Sequence, residues 1–184
     1  MPRLLPELRA RRVGQPAAPR RAEAIPTDLT PGVPAPPGGL GRYVAAYQLG
    51  NDNYDTSFSL ETPKQEFLGE CGMGISETIG EGKPDKVTAF DVWLFDKGDV
   101  RTVTQVLMSE YAFSDPSLRS KLLSKGQPFL AEKGKTLRLE TQALIVDAQI
   151  VELVYAVNPN FAPNSHFQKL TVEMSPTLKT NGSG

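Results

Sequence analysis

Lys86-Val-Thr-Ala-Phe-Asp-Val-Trp-Leu-Phe-Asp96 is the stretch on which the fold turns. Successive side chains of an extended chain point to opposite sides. Phe90, Val92 and Leu94 therefore share one side, and Trp93 and Phe95 share the other. A strand that is apolar on both sides belongs in the middle of a packed structure. Lys97-Gly98-Asp99 reads as a tight turn after it, and Val100–Ser109 as the strand that pairs back, which predicts a hairpin.

Upstream, Tyr43, Ala45 and Tyr47 share a side of Arg42–Gln48. Tyr54, Thr56, Phe58 and Leu60 then alternate with Asp55, Ser57 and Ser59, a period of two with one wet face. Asn51-Asp52-Asn53 between them is turn chemistry. A third strand is expected near Glu66–Gly74, with Phe67, Cys71, Met73 and Ile75 on one face. Gly69, Gly72 and Gly74 inside it imply a bulge or a close approach of backbones. Gly80–Asp85 is expected as a loop.

Downstream, Ser114–Gly126 carries the one helix signal. Ser114 or Asp115 can cap it, Pro116 suits its first turn, and Leu118, Leu122 and Leu123 form its apolar stripe. Thr136–Ala143 alternates strictly. In Leu144–Val157 the parity changes: Leu144, Val146, Ala148 and Ile150 share one face, but Val151, Leu153, Tyr155 and Val157 fall on the other. This predicts a bulge or bend near Ile150-Val151 that lets one strand serve two packing surfaces; a helix is the rival reading, opposed by the β-branched residues. His166–Met174 is the final expected strand. About eight strands, one short helix and frequent turns point to an all-β protein: an antiparallel β-sandwich in preference to a small barrel. The expected domain spans residues 40–175, with a flexible tail at 176–184.

Residues 1–39 differ in kind. They hold nine of the sixteen prolines, and Arg3, Arg9, Arg11, Arg12, Arg20 and Arg21 against Glu7, Glu23 and Asp28. Proline fixes φ and removes an amide donor, so this segment is expected to be a disordered, extended arm. Residues 1–40 carry a net +3, which leaves −4 for the rest of a chain whose total is −1. That balance does not suit a sequence-specific nucleic-acid-binding domain. Arg9, Arg11, Arg12, Arg20 and Arg21 could touch an anionic partner; the alternative is a solubilising linker.

Cys71 is the sole cysteine, so no intrachain disulfide can form, which favours a reducing compartment. No apolar run approaches the roughly 20 residues of a membrane-spanning helix, and the N-terminus lacks the apolar core of a secretory signal. A cytoplasmic location is expected.

The chain offers little for catalysis. His166 is the only histidine, and a neighbouring Ser165 on a strand would point away from it. Cys71 on an apolar face reads as an inert thiol. One cysteine and one histidine cannot supply the four ligands of a structural zinc site, and no metal or cofactor is expected. Asn51-Asp52-Asn53-Tyr54-Asp55 begins like a calcium loop, but Thr56 stands where Gly is required. Gly69–Gly74 lacks the spacing of a phosphate-binding loop. Asn181-Gly-Ser183 fits a glycosylation sequon but is a terminal match. Trp93 reads as a core anchor. Tyr43, Tyr47 and Tyr54 are the candidate binding surface, set against packing at the core edge.

Ala89–Ser109 (Ala-Phe-Asp-Val-Trp-Leu-Phe-Asp-Lys-Gly-Asp-Val-Arg-Thr-Val-Thr-Gln-Val-Leu-Met-Ser) resembles a recurring hairpin in uncharacterised bacterial proteins, where such a domain lies at the C-terminal end behind a low-complexity linker. The likeness extends over roughly Leu40–Met174 and implies no activity. The function expected from these observations is a non-catalytic interaction or assembly module, in which a sheet edge or hairpin docks a protein partner or a second copy and the arm adds reach. The alternatives are a small-molecule or carbohydrate-binding sandwich on Tyr43, Tyr47 and Tyr54, and a hydrolase using carboxylates alone, with Asp91, Asp96 and Asp99 as the first to test.

Overall fold

The sequence from Lys86 to Asp96 forms one unbroken strand, and two sheets are built around it. The computed structural model of the protein describes residues 38–180. The elements are β1 (Tyr43–Gln48), β2 (Asp55–Glu61), β3 (Phe67–Ile79), β4 (Lys86–Asp96), β5 (Val103–Met108), α1 (Glu110–Ser114), α2 (Pro116–Leu123), β6 (Gln127–Leu130), β7 (Thr136–Glu140), β8 (Leu144–Tyr155) and β9 (Phe167–Leu178). One sheet has the order β1-β9-β8-β7, the other β2-β3-β4-β5-β6. They face each other as the two layers of a β-sandwich.

β4 is central, as its double apolarity predicts. Its inner side buries Phe90, Val92 and Leu94 in the main core with Leu107, Leu139, Val146, Phe167 and Leu170. Its outer side is dry only near Ala89, where Val106, Met108, Ala112 and Leu122 form a second cluster under the helices. The close backbone approach expected at the β3 glycines is present. A Cβ on Gly69 would stand 2.1 Å from the Phe95 carbonyl oxygen and 2.9 Å from Leu144 of the facing sheet. A Cβ on Gly72 would stand 2.4 Å from the Thr56 carbonyl oxygen and 2.6 Å from the Trp93 ring.

The parity change in β8 is resolved by a bulge where it was expected. The register with β9 slips between Ile150↔Val172 and Glu152↔Thr171, leaving Val151 as the extra residue. The bulge does not create a second packing surface. It returns Leu153 and Tyr155 to the side of Ile150, where both pack against the main core.

Four local expectations are corrected, and one further strand is present. β1 and β2 do not pair across the expected turn: Asn51–Asn53 carries the chain from one sheet to the other. The connection after β4 is longer than a tight turn, since pairing resumes only at Leu94↔Val103. The single helix is two: Ser109 caps α1, while Asp115, with φ −85° and ψ 113°, ends α1 and caps α2 through bonds from the Ser117 and Leu118 amides. β6 was not foreseen; it pairs in parallel with β5, and parallel neighbours need a crossover, which α1 and α2 supply. Finally, residues 176–178 are not tail but the end of β9, paired with β8 through Val146↔Pro176 and Leu144↔Leu178. Gly39 bridges Thr177, and the Leu40 amide donates to the Pro176 carbonyl. The expectations for residues 1–37, with Arg9, Arg11, Arg12, Arg20 and Arg21, and for the sequon at 181–183 lie outside the described residues.

Two buried polar junctions hold the layers in place. At one end, Asp96 accepts bonds from the Gly98 amide (2.8 Å), the Thr141 hydroxyl (2.8 Å) and the Ala143 amide (3.0 Å), tying β4 to the β7–β8 turn. Burial raises the pKa of Asp96, but these three donors outweigh it and hold the carboxyl below the usual range. At the other end, Thr88 lies 2.6 Å from Ser109 and donates to the Ser165 carbonyl at 2.6 Å. Thr88 has one hydroxyl proton, so Ser109 must donate to Thr88 while accepting from the Ala112 amide. The chain of donation therefore has a single sense, from the α1 cap through β4 to the β8–β9 connection.

Candidate functional site

Tyr43, Tyr47 and Tyr54 do not form a surface. β1 alternation turns Tyr43, Ala45 and Tyr47 toward the second sheet, and Tyr47 is 1% exposed and Tyr54 7%. Tyr43 stacks on Phe58, and Tyr47 meets both Tyr54 and Phe90 edge-on. The three are packing residues, and the ligand platform expected on them is corrected. The buried hydroxyls of Tyr47 and Tyr54 have no hydrogen-bond partner. Burial, with the charges of Asp52 and Asp85, pushes the Tyr47 phenol up to about 12. Burial and the Asp55 charge raise Tyr54 as well.

The nucleophile candidates are enclosed. Cys71 is fully buried, and burial followed by the Glu70 charge pushes its thiol up to about 12. Ser165 and His166 do meet, contrary to the strand argument. They precede β9, and Asn164 at φ +55° turns the chain so that Ser165 Oγ lies 3.0 Å from His166 Nδ1. Both residues are buried. The imidazole stands edge-on to Phe161 and beside Lys86, and burial together with the Lys86 charge lowers its pKa. Among the described residues no carboxylate bonds to this pair, so the acid of a triad is missing.

Asp91, Asp96 and Asp99 take three separate roles. Asp96 is saturated by the donors named above. Asp99 lines an open, polar cleft of about 670 Å³ with Arg101, Glu140 and Gln142. Asp91 alone stands on the outer face of the five-stranded sheet, and one of its carboxylate oxygens is buried without a partner. Asp52 is a turn residue that accepts the Asp85 amide at 2.8 Å and pairs with Lys83. Among the described residues no group of three or more His, Cys, Asp and Glu side chains could hold a metal ion.

The outer face around Asp91 is the feature that sequence reasoning missed. Register places Ser57, Gly72, Trp93 and Thr104 in one row across β2 to β5. Ser59, Glu70 and Phe95 form the row on one side of it, and Asp55, Gly74 and Asp91 the row on the other. Trp93 and Phe95 are half-buried, not enclosed, because the helices cover only the far end of this face. The Trp93 ring lies against the bare backbone of Gly72, and Asp55 leans over Gly74. Asp55, Glu70 and Asp91 make no ion pair among the described residues. Two lysines of α2 and its C-terminal turn are engaged elsewhere: Lys121 pairs with Glu77 at 2.8 Å, and Lys125 donates to Ser76 at 2.8 Å. The result is an aromatic strip flanked by carboxylates. The signal was available in the sequence, since Gly72 and Gly74 alternate with the core residues Cys71 and Met73 and so mark the opposite face.

Comparison with protein-family models, curated proteins and solved structures finds no match to this chain. Among the described residues no helix is long and apolar enough to cross a membrane.

Proposed function

We propose that this domain is a non-catalytic recognition module that binds a cationic segment of a protein partner on the outer face of its five-stranded sheet. One observation carries the reading: the Trp93–Phe95 strip lies between Asp55, Asp91 and Glu70, and no cation of the described residues neutralises them. A guanidinium stacks on an indole and forks onto a carboxylate, so this pairing of groups suits arginine above all. The non-catalytic part is supported by the enclosure of Cys71, Ser165 and His166 and by the saturation of Asp96. A cytoplasmic setting belongs to the same proposal and draws support from the single, buried Cys71.

A second reading is favoured by the row itself. Ser57 and Thr104 hydroxyls flank an accessible indole, an arrangement that also suits the apolar face and hydroxyls of a sugar. Titration followed by Trp93 fluorescence separates the two. The proposal expects an arginine-bearing peptide to perturb Trp93 in a salt-sensitive way, and a glutamate-bearing peptide to have no effect. A response to neutral oligosaccharides alone selects the second reading, and no response to any of the three refutes both.

A further inference from the structure

Building on that reading, we infer that the occupant of this face is the chain's own arginine-bearing leader, Arg9–Arg21. Three observations converge. The first is charge: residues 1–40 hold six arginines and a net +3, while the remainder carries −4. Within the remainder, the aromatic strip is where Asp55, Glu70 and Asp91 stand without cations. The second is position. The leader joins the body at Gly38, whose carbonyl accepts the Leu178 amide. The Tyr43 hydroxyl then sits 3.2 Å from the Leu40 carbonyl and 3.3 Å from the Ser59 carbonyl of β2. The leader thus enters beside the edge strand of the face in question, and Ser59 is in the same row as Glu70 and Phe95. The third is reach. Trp93 lies two strands in from β2, about 10 Å at ordinary strand spacing. Residues 22–37 separate Arg21 from Gly38, and at roughly 3.5 Å per residue their contour is about 55 Å. Reach does not limit the contact, and the tether raises the effective concentration of the arginines at the face.

Lysines in place of these arginines would meet the carboxylates but would lose the planar stacking on Trp93. The basic and acidic parts of the chain then act as one device: the leader shields the strip, and a stronger cationic partner displaces it.

Trp93 is the only tryptophan, so its fluorescence reads this face alone. The test compares the full chain with a full-length variant in which Arg9, Arg11, Arg12, Arg20 and Arg21 are all changed to Gln, using acrylamide quenching. The variant is expected to show at least a doubling of quenching at low salt. The unsubstituted chain is expected to rise to the same level at about 0.5 M salt, where screening extends over only a few ångströms. A synthetic peptide of residues 5–24 added to the variant is expected to restore protection. Equal quenching of the two chains at low salt overturns the inference. If the peptide nevertheless protects Trp93, the face still binds cationic segments but its occupant is not the leader. If the peptide protects neither chain, the underlying reading falls too.

Discussion

Asp96→Asn should destabilise the domain by about 2–4 kcal/mol at neutral pH, because one buried carboxylate serves three donors. Asparagine keeps the shape but has only one acceptor oxygen. Its best orientation turns that oxygen to Thr141 and Ala143, which Asp96 now serves at 2.8 and 3.0 Å. The amide nitrogen must then face the Gly98 N–H, where a 2.8 Å bond stood. One charge-assisted bond is lost and two donors are left opposed. The reverse orientation is worse, since it abandons two donors. With a urea dependence of about 2 kcal/mol per molar, the unfolding midpoint should drop by roughly 1–2 M. The pH dependence supplies a second handle. The folded pKa of Asp96 lies below its unfolded value, so its contribution is complete above about pH 4 and is lost as pH falls through the folded pKa. The gap between the two proteins should therefore narrow in acid. A midpoint change worth under about 0.5 kcal/mol at pH 7 would refute the reasoning, as that is the scale of an ordinary surface substitution. So would a gap that stays constant down to pH 2.

Four further outcomes are expected. Gly72→Val should cost about 1–3 kcal/mol in thermal or urea unfolding, because its Cβ would strike the Thr56 carbonyl and the Trp93 ring. Gly134→Ala, with φ +88° and no atom within 4 Å, should cost only the backbone strain of about 1 kcal/mol. His166 has a folded pKa below its unfolded value, so stability should fall as pH drops below about 6.5; as the only histidine it should account for that slope, and His166→Asn should flatten it between pH 7 and 5. The Cys71 thiol should resist a thiol reagent at pH 8 in the folded protein and react at once in denaturant, since burial both hides it and raises its pKa.

Period-two burial was readable wherever one face met water, as in β2 and β7, and the parity break at Ile150-Val151 gave away the bulge. The short parallel strand β6 was not readable, because four residues containing Pro128 have no period to detect and their pairing depends on a crossover fixed elsewhere. The tyrosines misled for a related reason. Alternation says that Tyr43 and Tyr47 share a side but not which side faces the second sheet, and the sheet switch at Asn51–Asn53 decides that. Trp93 was legible as a doubly apolar position. Its outward face became visible only once register set it beside Gly72, between rows bearing Glu70 and Asp91.

The one-way relay of hydroxyls from Ser109 through Thr88 to the Ser165 carbonyl makes three distant pieces of chain a single latch. The β8–β9 connection cannot swing out without stripping Thr88 of its acceptor, and a freed Thr88 hydroxyl competes with Ser109 for the role of donor. Slackness at residue 165 is thus felt at the Ala112 amide, the first rung of the crossover helices. Amide exchange in α1 and in the segment before β9 should accelerate together when Thr88 is changed to Val, as two doors on one hinge pin.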